Sequence, residues 1–358
     1  MAEWAIAPTW VHVGEGALQD LGELARRFGS HGAYVVGGAK ALEVTMPTVR
    51  PSLRDADVVC REVQEFHGEC CPSRIRSIAD RLDPHDVVIA VGGGKAIDTA
   101  KAATRQVGAR LITVPTSPAT CAATTSLVIL HDEHGAYAAG SPQPPAPEAM
   151  VIDLSVLATC PPRLIAAGLA DAWARALETE LAATVSLPTG SSVYSLGVAA
   201  KYAEWILLPE GKAVLGGEAV LGEAAFERVM SACLLGAGLA SGLCGGFFHL
   251  NIAHSVAYAL THFIDPDAAL HGEAVGLGLL IQGLLQPDGA KRFEHTQEVL
   301  GSWSLPLRLD QLPGVPSGDA WLDRLAGYAT ETMDHARAFP FEVTTGAIRS
   351  ALERIATA

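Results

Sequence analysis

The chain has 358 residues, 49% hydrophobic and 18% charged, the balance of a globular protein with length for one large or two ordinary cores. Its formal net charge of -14, with no Lys/Arg cluster, excludes a nucleic-acid or anionic-membrane surface, since both need a positive face, and leaves small molecules as the expected partners. The seven cysteines (60, 70, 71, 121, 160, 233 and 244) are odd in number and form no CxxC pair, and the opening Met1-Ala2-Glu3-Trp4 is not signal-like, so a reducing cytoplasm is expected rather than a disulfide framework or a thiolate zinc site.

A short extended piece around Trp10 to Val13 precedes a helical pattern from Ala17 to Ala25. Ala33 to Val36 predicts an apolar strand ending at Gly37-Gly38. In a Rossmann-like half an acid after the second strand holds the adenosine ribose, yet Gly37 to Leu42 contains no carboxylate and carries Lys40. Asp57 to Val63 reads as another strand and Ser73 to Leu82 as a helix. The stretch from Asp86 to Lys101 is the centre of this half. Val87 to Val91 is an apolar, β-branched run suited to a strand covered on both faces. Gly92, Gly93 and Gly94 allow a sharp turn and close ligand approach, and the helix starting near Lys95 aims free N–H groups at the same point, which suits a pyrophosphate. A purely structural strand-to-helix turn would also need glycine. After a helix from Ala96 to about Gln106, Arg110 to Thr116 reads as a strand running into a Pro-Thr loop, and the strand pattern ends near Val151-Ile152-Asp153. Strands alternating with helices at this spacing indicate a parallel α/β sheet.

Beyond Pro161-Pro162 the pattern is helical to the end. A boundary therefore falls between 155 and 162, with residues 1–158 an α/β unit, 159–358 a helical unit, and a cleft between them. Ser141 to Pro147 reads as a surface loop. Val229 to Ile264 contains no Asp, Glu, Lys or Arg, but its small residues together with His249, Asn251, His254 and His262 indicate buried helices rather than a membrane span. The uncharged run from Leu111 to His131 contains Pro115 and Pro118, which suit strand and loop.

Three groups in the helical half stand out: Asp171 in Ala167 to Trp173, His254 in Asn251 to Ser255, and His271 in Leu270 to Val275. Each lies among apolar or small residues, where an unpaired charge or imidazole is expensive. Two imidazoles and a carboxylate with an open position suit Zn²⁺ or Fe²⁺, while three separately hydrogen-bonded core side chains would give the same sequence.

Several ordered blocks resemble the iron-containing alcohol dehydrogenase superfamily and its glycerol dehydrogenase branch: Gly92 to Lys101, Val114-Pro115-Thr116, Pro161 to Ala172, His271 to Val275 and Ala338 to Thr344. The resemblance implies an N-terminal Rossmann-like parallel-sheet domain followed by an all-α domain, one divalent metal held by Asp171, His254 and His271, and NAD(P)H as cofactor. It implies cofactor contacts at Gly93, Gly94, Lys95 and Asp98, and at Thr116, Thr120, Thr125, Leu127 and His131, with Gly38 and Lys40 on the ribose side. It also implies a homo-oligomer. Gly37-Gly38 and Lys40 favour NADPH. The expected reaction interconverts an alcohol and a carbonyl, with hydride passing to or from the nicotinamide.

Two departures from that branch bear on the substrate. Cys121 stands where the glycerol enzymes carry an aspartate, and Ala119 to Ala123 is more similar to hydroxycarboxylate dehydrogenases, so a 2-oxo acid, ketone or aldehyde is expected in place of glycerol. Ala257 and Tyr258 occupy the places of a second histidine, and Tyr258 becomes a candidate hydroxyl relay one turn beyond His254. A sugar-phosphate cyclase of the dehydroquinate synthase type shares the fold and the His271 to Val275 block, but it uses a glutamate ligand followed by a lysine, whereas Asp171 leads to Arg175. A binding protein without turnover is the third reading.

Overall fold

A computed structural model describes the chain except residues 1–7, 29–31, 142–145, 185–188, 244–250, 266, 334–338, 340 and 357–358. Outside the described residues fall Met1 to Trp4, Cys244, His249, Ala338 of the closing block and part of the loop from Ser141 to Pro147.

Six strands form one parallel sheet: β1 (Trp10–Gly14), β2 (Gly32–Gly37), β3 (Val59–Glu65), β4 (Val87–Gly92), β5 (Arg110–Pro115) and β8 (Ala149–Asp153), in the order β1-β8-β5-β4-β2-β3. β6 (Val128–His131) and β7 (Tyr137–Ser141) form a separate antiparallel hairpin. Every residue of β2, β4 and β8 is buried, and alternate side chains enter two different cores. Val35, Ile89, Val91 and Val151 pack on one face, while Tyr34, Val88, Ala90 and Met150 pack on the other. This two-sided burial explains why the strands read as continuous apolar runs rather than alternating ones.

The helices around the sheet are α1 (Leu21–Arg27), α2 (Ala39–Asp55), α3 (Pro72–Ala79), α4 (Gly94–Val107) and α5 (Leu154–Leu157). From Pro162 onward all described elements are helical: α6 (Pro162–Ala183), α7 (Thr189–Leu207), α8 (Pro209–Leu215), α9 (Ala224–Ser231), α10 (Ala237–Leu243), α11 (Ile252–Leu260), α12 (His271–Leu285), α13 (Gly289–Ser302), α14 (Leu322–Thr332) and α15 (Thr345–Ala356), with a π turn at Ala232–Gly236 and a 3₁₀ turn at Leu309–Gln311. The uncharged run from Val229 onward forms helices α9 to α11, which bury Val229, Ala237 and Val256 completely. Among the described residues no helix is long and apolar enough to cross a membrane.

Two elements escape the sequence patterns. α2 contains Pro47 and Pro51, which ordinarily end a helix. Pro47 is exposed and Pro51 half-buried, four residues apart on an outward stripe that also carries exposed Glu43, so carbonyls left without donors lie on the solvent side. The β6–β7 hairpin turns at Asp132, whose Oδ1 accepts the His134 and Ala136 N–H groups at 2.8 and 3.0 Å.

Lys101, fully buried on α4, fixes the loop between β5 and β6. Its Nζ lies 2.7 Å from Asp98 Oδ1 and donates to the carbonyls of Leu127 (2.7 Å) and Thr125 (3.2 Å). Asp98 Oδ2 in turn accepts the Ile129 N–H at 3.0 Å, tying β6 to the same helix. On the far side, Thr124 Oγ1 donates to the Leu234 carbonyl in the π turn. Replacing Lys101 by Met leaves Asp98 as an uncompensated buried charge and is expected to lower unfolding stability by about 3–5 kcal/mol, read from urea denaturation. A loss below about 1 kcal/mol would mean that the loop holds without it.

Candidate active site

Three helices bring the ligand-type residues together. α6 opens with Pro162 at its first turn and is buried along most of its length by small and apolar residues, so Asp171, Arg175 and Glu178, at i, i+4 and i+7, lie along one interior face. α11 supplies His254 and α12 begins with His271. Asp171 Oδ1 lies 3.2 Å from His254 Nε2 and 3.3 Å from His271 Nε2, and one donor atom from each residue falls within 4.8 Å of the other two.

Each of the three is held from behind. Glu178 accepts the His254 backbone N–H at 3.1 Å through Oε1 and meets His254 Nδ1 at 2.5 Å through Oε2. Asn251 Nδ2 donates to the Glu178 carbonyl at 2.8 Å, which ties the start of α11 to α6. The start of α12 is clamped by Arg163, whose Nε and Nη2 bind the two Glu273 carboxylate oxygens at 2.6 and 2.8 Å, while Glu273 also accepts the Leu270 N–H. Beside His271, Gly272 is required for close approach: a Cβ there would stand 1.9 Å from the Ala167 carbonyl oxygen of α6. Burial alone would raise the Asp171 pKa, but the Arg175 charge and the hydrogen bonds from both histidines hold it well below the usual carboxylate range.

A cleft of about 800 Å³ runs from this cluster to the carboxyl ends of β2, β4 and β5, where ligands bind in open α/β sheets. Gly92 turns the chain out of β4 at φ 142°, a conformation only glycine adopts readily. α4 then begins at Gly94 with Gly93 as N-cap and no side-chain capping bond from that residue, a helix start at the cleft of the kind that favours an anion. Gly38, Lys40, Gly93, Gly94 and Lys95 line this cleft, as do Asp98, Thr116, Thr120, Thr125, Leu127 and His131. Cys121, Tyr258 and His271 line it too, while Asp171 and His254 lie deeper.

Several of these polar groups are engaged by the protein itself. Asp98 and the Thr125 and Leu127 carbonyls serve Lys101. Lys40 pairs with Glu43 at 2.8 Å on the surface. Lys95 binds Glu69 and, at 2.8 Å, Asp267 from the loop before α12, so one ammonium spans the cleft. His131 Nδ1 is 3.8 Å from Glu69, and burial together with the His271 and Lys95 charges lowers its pKa to about 4, leaving it neutral.

Cys121 is buried in the cleft wall, and burial pushes its thiol up to about 11. Tyr258 stacks on Tyr137 at 4.3 Å between ring centroids and lies 5.6 Å from the His271 ring, with burial raising its hydroxyl pKa well above the ordinary value. Tyr137 comes from the hairpin, and its backbone N–H donates to Thr261 Oγ1 at 2.8 Å. Sequence reasoning passed over Tyr137, Glu178 and the buried position of Arg175; helical spacing from Asp171 was the signal available for the last two.

The model of the family described as iron-containing alcohol dehydrogenase matches residues 8–154. A glycerol dehydrogenase of Escherichia coli O6:H1 is 31% identical over 84% of this chain and 82% of that protein. A glycolaldehyde reductase of Halobacterium salinarum is 29% identical over 97% and 95%. The crystal structure of a probable glycerol dehydrogenase from Sinorhizobium meliloti superposes with a TM-score of 0.85 at 25% identity, covering 99% of this chain and 98% of the other. These relatives favour the oxidoreductase over the cyclase and the binding protein. The chain belongs to the iron-containing alcohol dehydrogenase family, in its glycerol dehydrogenase-like branch, and is a metal-dependent, NAD(P)-linked oxidoreductase that interconverts alcohols and carbonyl compounds.

Proposed function

We propose that Asp171, His254 and His271 hold one divalent ion, Zn²⁺ or Fe²⁺, at the floor of the cleft, with residues 1–158 carrying the cofactor and 159–358 the metal. The observation that carries this is the convergence of three ligand-type donors within 4.8 Å, Asp171 and His254 buried and His271 half-buried at the cleft. The donor set fits: a carboxylate kept ionised and two imidazoles match borderline divalent metals. With Nδ1 held by Glu178, His254 would present Nε2 to the ion on releasing the proton it shares with Asp171, the outer arrangement that metal-binding histidines use.

When bound, the ion polarises the substrate oxygen and the nicotinamide supplies or takes the hydride. The protein's own part is placement. The open N-terminus of α4 at Gly93, Gly94 and Lys95 receives the pyrophosphate, and the loop from Thr116 to Leu127, fastened by Lys101, sets the opposite wall. Tyr137 and Tyr258 close the side near His271 and exclude water. Tyr258, with its hydroxyl held protonated, acts as a neutral hydrogen-bond donor in this reading. Self-association belongs to the same proposal: β1 is an edge strand with Trp10, Val11 and Val13 exposed, a row that a second copy would cover.

Replacing His271 by Ala is expected to abolish turnover and reduce bound metal below one ion per chain by mass spectrometry. Glu178→Gln is expected to keep the fold but weaken metal affinity about 10- to 100-fold in a chelator competition. Full activity of a metal-free preparation would overturn the assignment.

For the cofactor, NADPH is expected to give a kcat/KM at least equal to that of NADH. Gly38 leaves open space at the ribose, and the exposed Lys40–Glu43 pair is weak enough for a 2′-phosphate to compete. Lys40→Ala should lower the NADPH value about 5-fold and leave NADH unchanged.

Cys121 acts as a small wall residue and not as a nucleophile. With its thiol pushed up to about 11 it stays protonated at neutral pH, so iodoacetamide should fail to label it at pH 8, and Cys121→Ala should retain most of the activity.

A further inference from the structure

Arg175 lines the cleft and, beyond holding Asp171 ionised, has no role assigned so far. It follows Asp171 by one turn of α6, is only 7% exposed, and turns Nε toward Asp171 Oδ2 at 3.3 Å. Its Nη1 is buried and, among the described residues, has no hydrogen-bond partner. Arginine stays charged at every working pH and donates through five N–H groups, so a buried edge of it without an acceptor is an expensive arrangement.

Among the described residues no acceptor reaches that edge. Asp171 accepts through Oδ2 and turns Oδ1 to the two histidines. Glu178 is engaged twice by His254. The acidic groups that line the cleft, Glu69, Asp98 and Asp267, are bound by Lys95 and Lys101. Cys121, within electrostatic reach of the guanidinium, is a neutral thiol. An acceptor must therefore enter through the cleft, and a charge-assisted, two-point partner suits the guanidinium fork best.

The position of Arg175 also fixes where that acceptor lies. Its Nε meets one oxygen of the Asp171 carboxylate while both histidines meet the other, so an anion bound by the guanidinium would lie beside the cluster proposed to hold the metal. We propose that Arg175 is the anion-recognition residue of this site and binds the carboxylate of a 2-oxo acid, or of the matching 2-hydroxy acid in the reverse direction. This rests on the oxidoreductase reading and narrows its substrate class.

The test compares kcat/KM for pyruvate, 2-oxobutyrate and phenylpyruvate with the values for their neutral 2-oxo amides, in metal-loaded wild type, Arg175→Met and Arg175→Lys. Wild type is expected to favour the acids by about 100-fold, the Met variant to lose that preference, and the Lys variant to keep part of it through charge without the fork. A purely structural role would lower acid and amide turnover in equal proportion. A second readout is independent of turnover: oxamate, an inert 2-oxo acid analogue, should raise the Tm of wild type in the presence of NADPH and leave Arg175→Met unshifted. If the Met variant does not fold, the Lys variant carries both comparisons. Wild type that reduces neutral carbonyls with no preference for the acids, or an oxamate shift that persists without the guanidinium, overturns the role of Arg175 and leaves the oxidoreductase standing. An Arg175-dependent oxamate shift in a protein that reduces no carbonyl at all upholds the anion site and overturns the oxidoreductase reading.

Discussion

A carboxylate buried at the junction of three helices is the constraint on which the rest of the site depends. Asp171 is 1% exposed, and such a charge is tolerated in an interior only when hydrogen bonds and opposite charge surround it. His254, His271 and Arg175 supply that surround, each from a different direction. Their own positions are set in turn by Glu178 behind His254 and by the Arg163–Glu273 fork beside His271. Cooperative networks of this kind have little slack, because removing one member leaves another buried polar group without a partner.

Close backbone approach performs the corresponding task on the apolar side. α12 reaches α6 because position 272 has no side chain, and the loop that carries Cys121 is drawn in by a buried ammonium and by the Thr124 hydroxyl. Lys101 and Asp98 form a second buried ion pair with the same logic as the first: each charge is met by backbone groups as well as by its partner. One pair organises the metal-type cluster and the other organises the loop from Thr125 to Leu127 in the cleft wall. The cleft lies between these two supports, the kind of placement that the proposed hydride transfer would need.

Local charge in the cleft differs from the whole-chain balance. The chain carries -14 overall, yet the acids lining the cleft are neutralised by Lys95 and Lys101, and one guanidinium keeps an unengaged edge. Specificity in such a site depends on which polar group is left unsatisfied until the ligand arrives, since an analogue lacking the matching group leaves that cost in place.

Much of this was legible in the sequence. The apolar β-branched runs, the glycine turn at Gly92 to Gly94 and the proline pair at Pro161-Pro162 mark a parallel sheet followed by helices, because strand burial, turn geometry and helix initiation are local properties of residue type. Asp171, His254 and His271 could be singled out because polar residues in apolar surroundings need partners, and the ordered family blocks pointed to the same residues. Helix α2 and the hairpin were hidden, the first because two prolines obscure a helix whose unsatisfied carbonyls lie toward solvent, the second because four-residue strands around an Asp turn look like loop. Only the tertiary structure decided that Lys101 reaches the Leu127 carbonyl, that Tyr137 stacks on Tyr258 and that Arg175 is buried beside Cys121. Those outcomes depend on which helix faces meet, and residues far apart in the chain share no local signal that they will become neighbours.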